Sequence, residues 1–413
     1  MTTTTTRDGL AVKPNLLPSL TSLRFFVAVT IFLFHATGYV LFTSPQVGKN
    51  LLDLVTMGGW AGMSFFFMLS GFVLTWVSRP GDSTLTFWRR RLVRVFPNHL
   101  LMFGVTAILG ATVLGAVFDG TAAVFNVLLL QAWSPDLNIR IGFNSVSWSL
   151  SAELLFYASF PVLYRLISRI RPERLWAWTA GMLAVITLVV PVGVHRFAGG
   201  GEVIPFLELT QKEFWLLFHF PPVRMLEFVT GILLARIVLT GRRVPVSFGG
   251  AAAVTVALYA LGPHFPPHFR MVAVMAVPMA LLIAAGAVSD LHRERTTLLS
   301  SRPMVYLGNL SYAFYLVHMQ VLVFGAHWLG TGTTPGGTAY GFAVIALLFA
   351  VAVGLSWLMF NLLEQPMMRR FGAKPKARRT VSATAPTAVP APADGPADEA
   401  PRTPATAGRS TAI

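Results

Sequence analysis

Apolar residues recur along the chain in runs of about twenty, separated by short polar segments. A run of that length forms an α-helix that can cross a hydrocarbon core of about 30 Å. The pattern predicts an all-α, polytopic membrane helix bundle with about ten transmembrane helices. The predicted spans are 22–42, 58–78, 98–118, 146–168, 175–195, 222–240, 246–262, 269–288, 305–328 and 339–363. The stretch 123–133 is too short to cross and is expected to lie at the interface.

Composition agrees with this pattern. Apolar residues make up 54% of the chain and charged residues 12%, against about 25% charged residues in an ordinary soluble domain. We therefore expect one membrane domain over residues 21–371, in a multi-pass protein of the cell membrane. Residues 1–20 form a predicted cytoplasmic extension, and residues 372–413, rich in Ala, Pro and Thr, a predicted disordered cytoplasmic tail.

The distribution of basic residues predicts the orientation. The formal charge is +15, and the basic residues concentrate in every other loop. Because cytoplasmic loops carry the excess of Lys and Arg, both termini are expected in the cytosol, which requires an even number of spans. The charges are not gathered on one patch, so we exclude nucleic acid as a partner. The basic loops hold Arg79, Arg89, Arg90, Arg91, Arg94, Arg165, Arg169, Arg171, Arg174, Arg242, Arg243, Arg293, Arg295 and Arg302.

The residue types also limit the chemistry. The chain has no cysteine, which excludes disulfides, thiolate metal sites and a cysteinyl acyl intermediate. Several histidines lie in loops or at span ends, and no spacing among them indicates a metal. These are His195, His264, His268, His292 and His327. The sequence therefore predicts no metal and no permanently bound cofactor.

Ionisable residues inside the spans are costly, so each is a candidate functional residue. His35 and His318 each lie thirteen residues into a span entered from the cytoplasm, and Glu153 lies seven residues into a span entered from outside. With a rise of about 1.5 Å per residue, the three are expected at a similar depth. Arg224 and Glu227 are three residues apart on one helix face, which favours a structural ion pair.

A second group of charges is predicted at the cytoplasmic face. It comprises Arg24, Arg91, Arg94 and Glu364. Guanidinium groups bind phosphates in a bidentate manner, so the group suits an anionic cytosolic ligand. Arg24 and His35 are eleven residues apart, or about 16 Å along one helix. A long, thin cosubstrate could reach from one to the other.

Six ordered segments resemble the acyltransferase-3 family of integral-membrane O-acyltransferases, over residues 20–368. They are Arg24 with His35 after ten intervening residues, Leu69-Ser70-Gly71-Phe72, Arg91-Leu92-Val93-Arg94, Trp148-Ser149-Leu150-Ser151-Ala152-Glu153 with Phe156-Tyr157, Leu307-Gly308-Asn309-Leu310-Ser311-Tyr312 with Tyr315 and His318, and Glu364-Gln365-Pro366. The order and extent of these segments make the resemblance specific. Asn98-His99 departs from the usual pattern and is similar to the branch that acylates macrolide antibiotics.

The resemblance implies transfer of an acyl group from cytosolic acyl-CoA, as cosubstrate, to a hydroxyl group. It also implies functional roles for Arg24, His35, Arg91, Arg94 and Glu364. The three arginines would bind the phosphates of CoA, with Glu364 orienting one of them.

His35 is the predicted general base, because an unprotonated imidazole accepts a proton readily near neutral pH. Glu153 is the second predicted catalytic residue and would orient or charge-balance His35. Predicted substrate-binding residues that could donate to the oxyanion are Tyr157, Ser149, Tyr312 and His318. Direct transfer is the simplest scheme, and a seryl or histidyl intermediate stays open. His99 is expected to contact CoA or to face water.

Several alternatives remain at this point. A multi-pass transporter or exporter would also place polar residues at mid-depth, although no repeat relates the two halves of the chain. Within the enzyme hypothesis, the acceptor is a macrolide or its sugar, or else a cell-envelope polysaccharide or lipid glycan. The predicted partners are acyl-CoA, a hydroxyl-bearing small molecule or glycan, and the lipid bilayer. The oligomeric state stays open.

Overall fold

A computed structural model of the protein describes residues 17–372 except 79–80, 82 and 293–296. It confirms the all-α prediction. The helices are α1 Pro18–Ala36, α2 Pro45–Val77, α3 Thr84–Val113, α4 Gly120–Val127, α5 Leu137–Ile141, α6 Trp148–Ser168, α7 Leu175–Ala184, α8 Val190–Phe197, α9 Gln211–Phe214, α10 Pro221–Leu239, α11 Phe248–Leu261, α12 Pro267–Arg270, α13 Ala273–Leu291, α14 Arg302–Leu329, α15 Thr338–Met359 and α16 Gln365–Phe371. Two short strands, β1 Val203–Ile204 and β2 Leu209–Thr210, pair antiparallel.

Eight helices within the described residues are long and apolar enough to cross a membrane, and the protein is a multi-pass membrane protein. They are Pro18–Ala36, Pro45–Val77, Thr84–Val113, Ser145–Ser168, Pro172–Phe197, Pro267–Leu291, Arg302–Leu329 and Thr338–Phe371. The other two predicted spans coincide with α10, which carries Arg224, Glu227 and Arg236, and with α11, which has only 14 residues. The count of ten and the cytoplasmic termini stay predictions. The extension before residue 17 and the tail after residue 372 lie outside the described residues.

Small residues let the central helices approach closely. α2 packs against α1 through Gly58 and Gly62, and a Cβ added at Gly62 would lie 2.8 Å from the Ile31 side chain. The Gly-x-x-x-Gly spacing of these two residues places both on one face of α2, where it permits this close packing. At the start of α1, Asp290 on α13 accepts from the backbone N–H of Ser19 at 2.9 Å and from its hydroxyl at 2.6 Å. This contact fixes the start of the helix that carries Arg24 and His35.

The tightest helix crossing joins α2 and α10. A Cβ added at Gly231 would lie 1.9 Å from the carbonyl oxygen of Met68, and one added at Gly71 would lie 2.0 Å from that of Phe228. Backbone meets backbone at both positions, so no flexible side chain can move aside. The crossing therefore depends on glycine in both helices.

We expect Gly231→Ala to lower the stability by about 1–3 kcal/mol or more, because the added methyl group forces the two backbones apart. Thermal unfolding of the detergent-solubilised protein, followed by tryptophan fluorescence, measures the effect. Gly181→Ala on α7 is the matched control, because a Cβ there meets nothing within 4 Å and alanine favours the helix. Equal midpoints for the two variants would contradict the close crossing.

Three π-helical turns occur within the described residues, each just before a proline. They are Val185–Val189 before Pro191, Trp215–His219 before Pro221, and Phe360–Glu364 before Pro366. A proline has no backbone N–H and its ring clashes with the preceding turn, so the helix widens there. The last of these turns carries Glu364, whose side chain is buried.

Candidate active site

The centre of the candidate site is a pair of histidines on adjacent helices. Nδ1 of His35, on α1, lies 3.0 Å from Nε2 of His318, on α14. The two rings are stacked, with centroids 5.3 Å apart and planes inclined by 17°. His318 is fully buried, whereas His35 is partly exposed to a cavity. The structure therefore brings together the two histidines that the sequence placed at a similar depth.

The hydrogen bonds of the pair fix the tautomers of the neutral rings. Nδ1 of His318 lies 3.2 Å from the carbonyl oxygen of Phe314, which only accepts, so this nitrogen carries the proton. Nε2 of a neutral His318 then accepts the hydrogen bond from Nδ1–H of His35. Nε2 of His35 consequently keeps its lone pair. A base held in one tautomer by a second group has the geometry that proton abstraction needs.

His35 opens on a cavity of about 710 Å³ lined by the loops and helix ends of one face of the bundle. The lining includes Trp60, Lys49 and Asp53 from α2, and Arg270 from α12. In the predicted orientation this face is the outer one. The size falls in the range of small-molecule pockets. We call it the His35 cavity.

Glu153 lies elsewhere in the site. Its Oε2 accepts a hydrogen bond from the Tyr157 hydroxyl, on the same helix, at 2.8 Å. Its carboxylate lines two smaller cavities, of about 60 and 100 Å³, that also contain Arg24. The ring of His35 therefore contacts His318, and the hydrogen bond of Glu153 is to Tyr157, so the orienting role predicted for Glu153 stays a prediction. Glu153 belongs with the arginines because its carboxylate faces their charge.

The charged groups predicted at the cytoplasmic face come together around the larger of these cavities, which we call the arginine cavity. Arg24 of α1 and Arg91 and Arg94 of α3 line it, with Tyr157 and Tyr312. Arg91 and Arg94 are three residues apart and so share one helix face. The guanidinium of Arg94 stacks over Tyr312, 5.9 Å from the ring centroid.

Glu364 borders this group through two contacts. Its Oε1 lies 3.9 Å from Nη2 of Arg94, and its Oε2 accepts from Nδ2 of Asn98 at 3.2 Å. Asn98 is fully buried. This residue departs from the family pattern, and its amide holds the carboxylate of Glu364. Sequence reasoning assigned Asn98 no role; its position four residues after Arg94, on the same helix face, was the available signal.

Ser149 lies between the two ends of the site. Its hydroxyl is 3.0 Å from the hydroxyl oxygen of Tyr315 and 3.0 Å from the carbonyl oxygen of Val146, to which the Tyr315 hydroxyl donates at 2.9 Å. Both side chains line the 60 Å³ cavity together with Met63 and Phe66. Tyr315 also faces His318, with ring centroids 5.8 Å apart. Sequence reasoning gave Tyr315 no role, although it lies three residues from His318 on one helix face.

Three residues that line neither the arginine cavity nor the His35 cavity have structural contacts. Arg224 and Glu227 form a fully buried ion pair of 2.9 Å, as predicted, and the Arg224 guanidinium also lies over the rings of Phe67 and Phe218. His99 is 2% exposed, so it does not face water. Its Nε2 lies 2.9 Å from the carbonyl oxygen of Asn126 and connects α3 to α4.

The arrangement is that of a membrane-embedded acyltransferase, and comparisons with known proteins agree. The family described as "Acyltransferase domain" matches residues 17–360. Acyltransferase MdmB of Streptomyces mycarofaciens is 40% identical, over 94% of this chain and 97% of its own length. O-acetyltransferase OatA of Staphylococcus aureus is 24% identical, over 86% of this chain and 58% of its own length. Exopolysaccharide production protein ExoZ of Rhizobium meliloti is 27% identical, over 76% of this chain and 92% of its own length. No solved structure matches the chain.

The chain therefore belongs to this family of membrane acyltransferases. The family resemblance inferred from six sequence segments is confirmed, and with it an acyltransferase activity. The transporter hypothesis is set aside, because neither the family nor the similar proteins named here are transporters by description.

Proposed function

We propose that the protein transfers an acyl group from acyl-CoA to a hydroxyl of a natural product, a macrolide or its sugar. The observation that carries the proposal is the separation of a base from an anion site along α1. His35 presents a lone pair to a cavity, and Arg24 lies eleven residues earlier, about 16 Å away. The CoA phosphates would bind in the arginine cavity, and the pantetheine arm would extend toward His35.

In this scheme the acceptor hydroxyl enters the His35 cavity. Nε2 of His35 takes the hydroxyl proton as the oxygen attacks the thioester carbonyl, and the C–S bond then breaks to release CoA. Ser149 is the proposed donor to the oxyanion, because its hydroxyl lines the narrow cavity between the two ends of the site. Tyr315 would position that hydroxyl.

The similarity to Acyltransferase MdmB over nearly the full length of both chains supports a small acceptor of the natural-product class. The size of the His35 cavity agrees with this class. O-acetyltransferase OatA supports O-acylation as the reaction, and an envelope polysaccharide is the second candidate acceptor on the basis of ExoZ.

The experiment uses the full chain in lipid nanodiscs with acetyl-CoA or propionyl-CoA and either a macrolide or an envelope oligosaccharide. Mass spectrometry should detect a macrolide heavier by one acyl group and an equivalent of free CoA. Acylation of the oligosaccharide alone would overturn the macrolide assignment. If neither acetyl-CoA nor propionyl-CoA supports acylation of any acceptor, the donor assignment is overturned.

We expect Arg94→Gln to raise the KM for acyl-CoA about tenfold or more, because one charge-assisted phosphate contact is lost. The KM for the acceptor should stay unchanged. Arg169→Gln is the matched control, since it removes one positive charge from an exposed position after α6. Equal donor KM values for the two variants would contradict a phosphate contact at Arg94.

A further inference from the structure

Three potential metal ligands from separate segments meet near one end of the bundle, outside the candidate active site. They are His195 near the end of α8, Glu213 on α9 and His268 on α12. One ligand atom from each lies within 4.8 Å of the other two. Nε2 of His268 is 2.9 Å from Oε1 of Glu213, and the rings of His195 and His268 have centroids 4.5 Å apart. The spacing of these residues along the chain does not indicate the cluster, because long stretches of chain separate its members.

The carboxylate of this cluster is already oriented. Oε2 of Glu213 accepts from the backbone N–H of Thr210 at 2.8 Å and from the Thr210 hydroxyl at 2.9 Å. These bonds form a capping box at the start of α9. Oε1 of the same carboxylate is directed at His268, so both oxygens of Glu213 are held in place.

We propose that His195, Glu213 and His268 bind a Zn²⁺ ion, with water completing a four-coordinate site. Two imidazoles and one carboxylate suit Zn²⁺ better than the oxygen-preferring Mg²⁺ or Ca²⁺. In a tetrahedral site, ligand atoms about 2.0–2.1 Å from the metal are roughly 3.4 Å apart. The observed spacing reaches this value with small rotations of side chains, which the exposed ring of His195 can make.

The bound ion would hold three segments of the chain together beside the His35 cavity. It would join the end of α8, the start of α9 and α12, which otherwise meet through side-chain contacts. Arg270, two residues after His268, lines the His35 cavity and pairs with Glu208 at 3.0 Å. Fixing α12 would thus fix one wall of that cavity. The site is independent of the proposed donor and acceptor.

The test uses the full chain, with its affinity tag removed, after chelator treatment in detergent. Adding Zn²⁺ should give one tightly held equivalent by elemental analysis and a higher midpoint of thermal unfolding. Co²⁺ should give the visible absorption of a four-coordinate site. His195→Ala and His268→Ala should each lose the bound equivalent, the absorption and the stabilisation. Because His195 is exposed, its variant is expected to fold.

His264→Ala is the matched control, since this histidine is exposed on the neighbouring segment outside the cluster. It should bind Zn²⁺ as the unmodified protein does. Thr210→Val should weaken binding about tenfold, because it removes one hydrogen bond that orients Glu213. No retained Zn²⁺ in the unmodified protein would overturn the proposal. Full retention in either histidine variant of the cluster would overturn it equally.

Discussion

Replacing His35 by alanine is expected to lower kcat by about 10²- to 10⁴-fold, the usual contribution of a positioned general base. The reason is the free lone pair at Nε2, which the contact with His318 leaves facing the cavity. Donor binding should persist, because the arginine cavity is untouched. Initial rates of acyl transfer in nanodiscs measure kcat, and protection of the protein by acyl-CoA against heat measures donor binding.

His318→Ala tests the orienting contact. With its partner removed, the ring of His35 can rotate, and a misplacement of about 1 Å can cost about 100-fold in rate. The loss should appear in kcat and leave the KM for acyl-CoA unchanged. His327→Ala, at an exposed position on the same helix, is the matched control and should keep full activity. Near-normal turnover by His35→Ala would remove this residue from the mechanism.

The second large effect concerns stability. Arg224→Leu is expected to destabilise the protein by about 3–5 kcal/mol, because it leaves the carboxylate of Glu227 buried without its partner. The pair is 2.9 Å apart, and both side chains are essentially inaccessible to solvent. The arginine also loses its contacts with the rings of Phe67 and Phe218. Denaturant and thermal unfolding in one detergent measure the loss.

The double variant Arg224→Leu with Glu227→Leu should recover much of that loss, since no buried charge remains. Arg242→Ala is the control for removing a paired arginine at the surface. Its partner Glu173 lies 2.5 Å away but is largely exposed, and such pairs contribute about 0–1 kcal/mol. A double variant no more stable than Arg224→Leu would show that the ion pair itself does not determine the effect.

Much of the fold follows from the sequence because an apolar run of about twenty residues specifies a spanning helix by itself. α10 shows where that rule weakens: Arg224, Glu227 and Arg236 make it too polar for a simple hydropathy criterion, although it packs closely on α2. The π-helical turns are harder to predict, since they depend on where each proline meets the packed bundle. The hairpin of β1 and β2 has two residues in each strand, too few for a pattern.

For the candidate site, the sequence indicated which residues belong to the site, but it did not indicate which of them contact one another. Arg24, Arg91 and Arg94 were expected together and line one cavity. His35 and His318 were expected at one depth, but depth says nothing about which helices are neighbours. The packing of α1 on α14 pairs His35 with His318. Glu153 instead contacts Tyr157 on its own helix, α6. Helix rotation and adjacency are set by side-chain packing, which a linear pattern does not encode.

The bond from His318 to the Phe314 carbonyl also limits where a catalytic proton can go. A proton that arrives at Nε2 of His35 could be passed inward only as far as Nδ1 of His318, and the oxygen beyond it is a backbone carbonyl that does not take up a proton. The histidine pair therefore cannot pass a proton from one side of the bilayer to the other. Each proton must leave by the side from which it came, so one ring would act as base toward the acceptor and as acid toward the departing thiolate. We therefore expect acyl transfer to proceed at the same rate in sealed and in leaky vesicles.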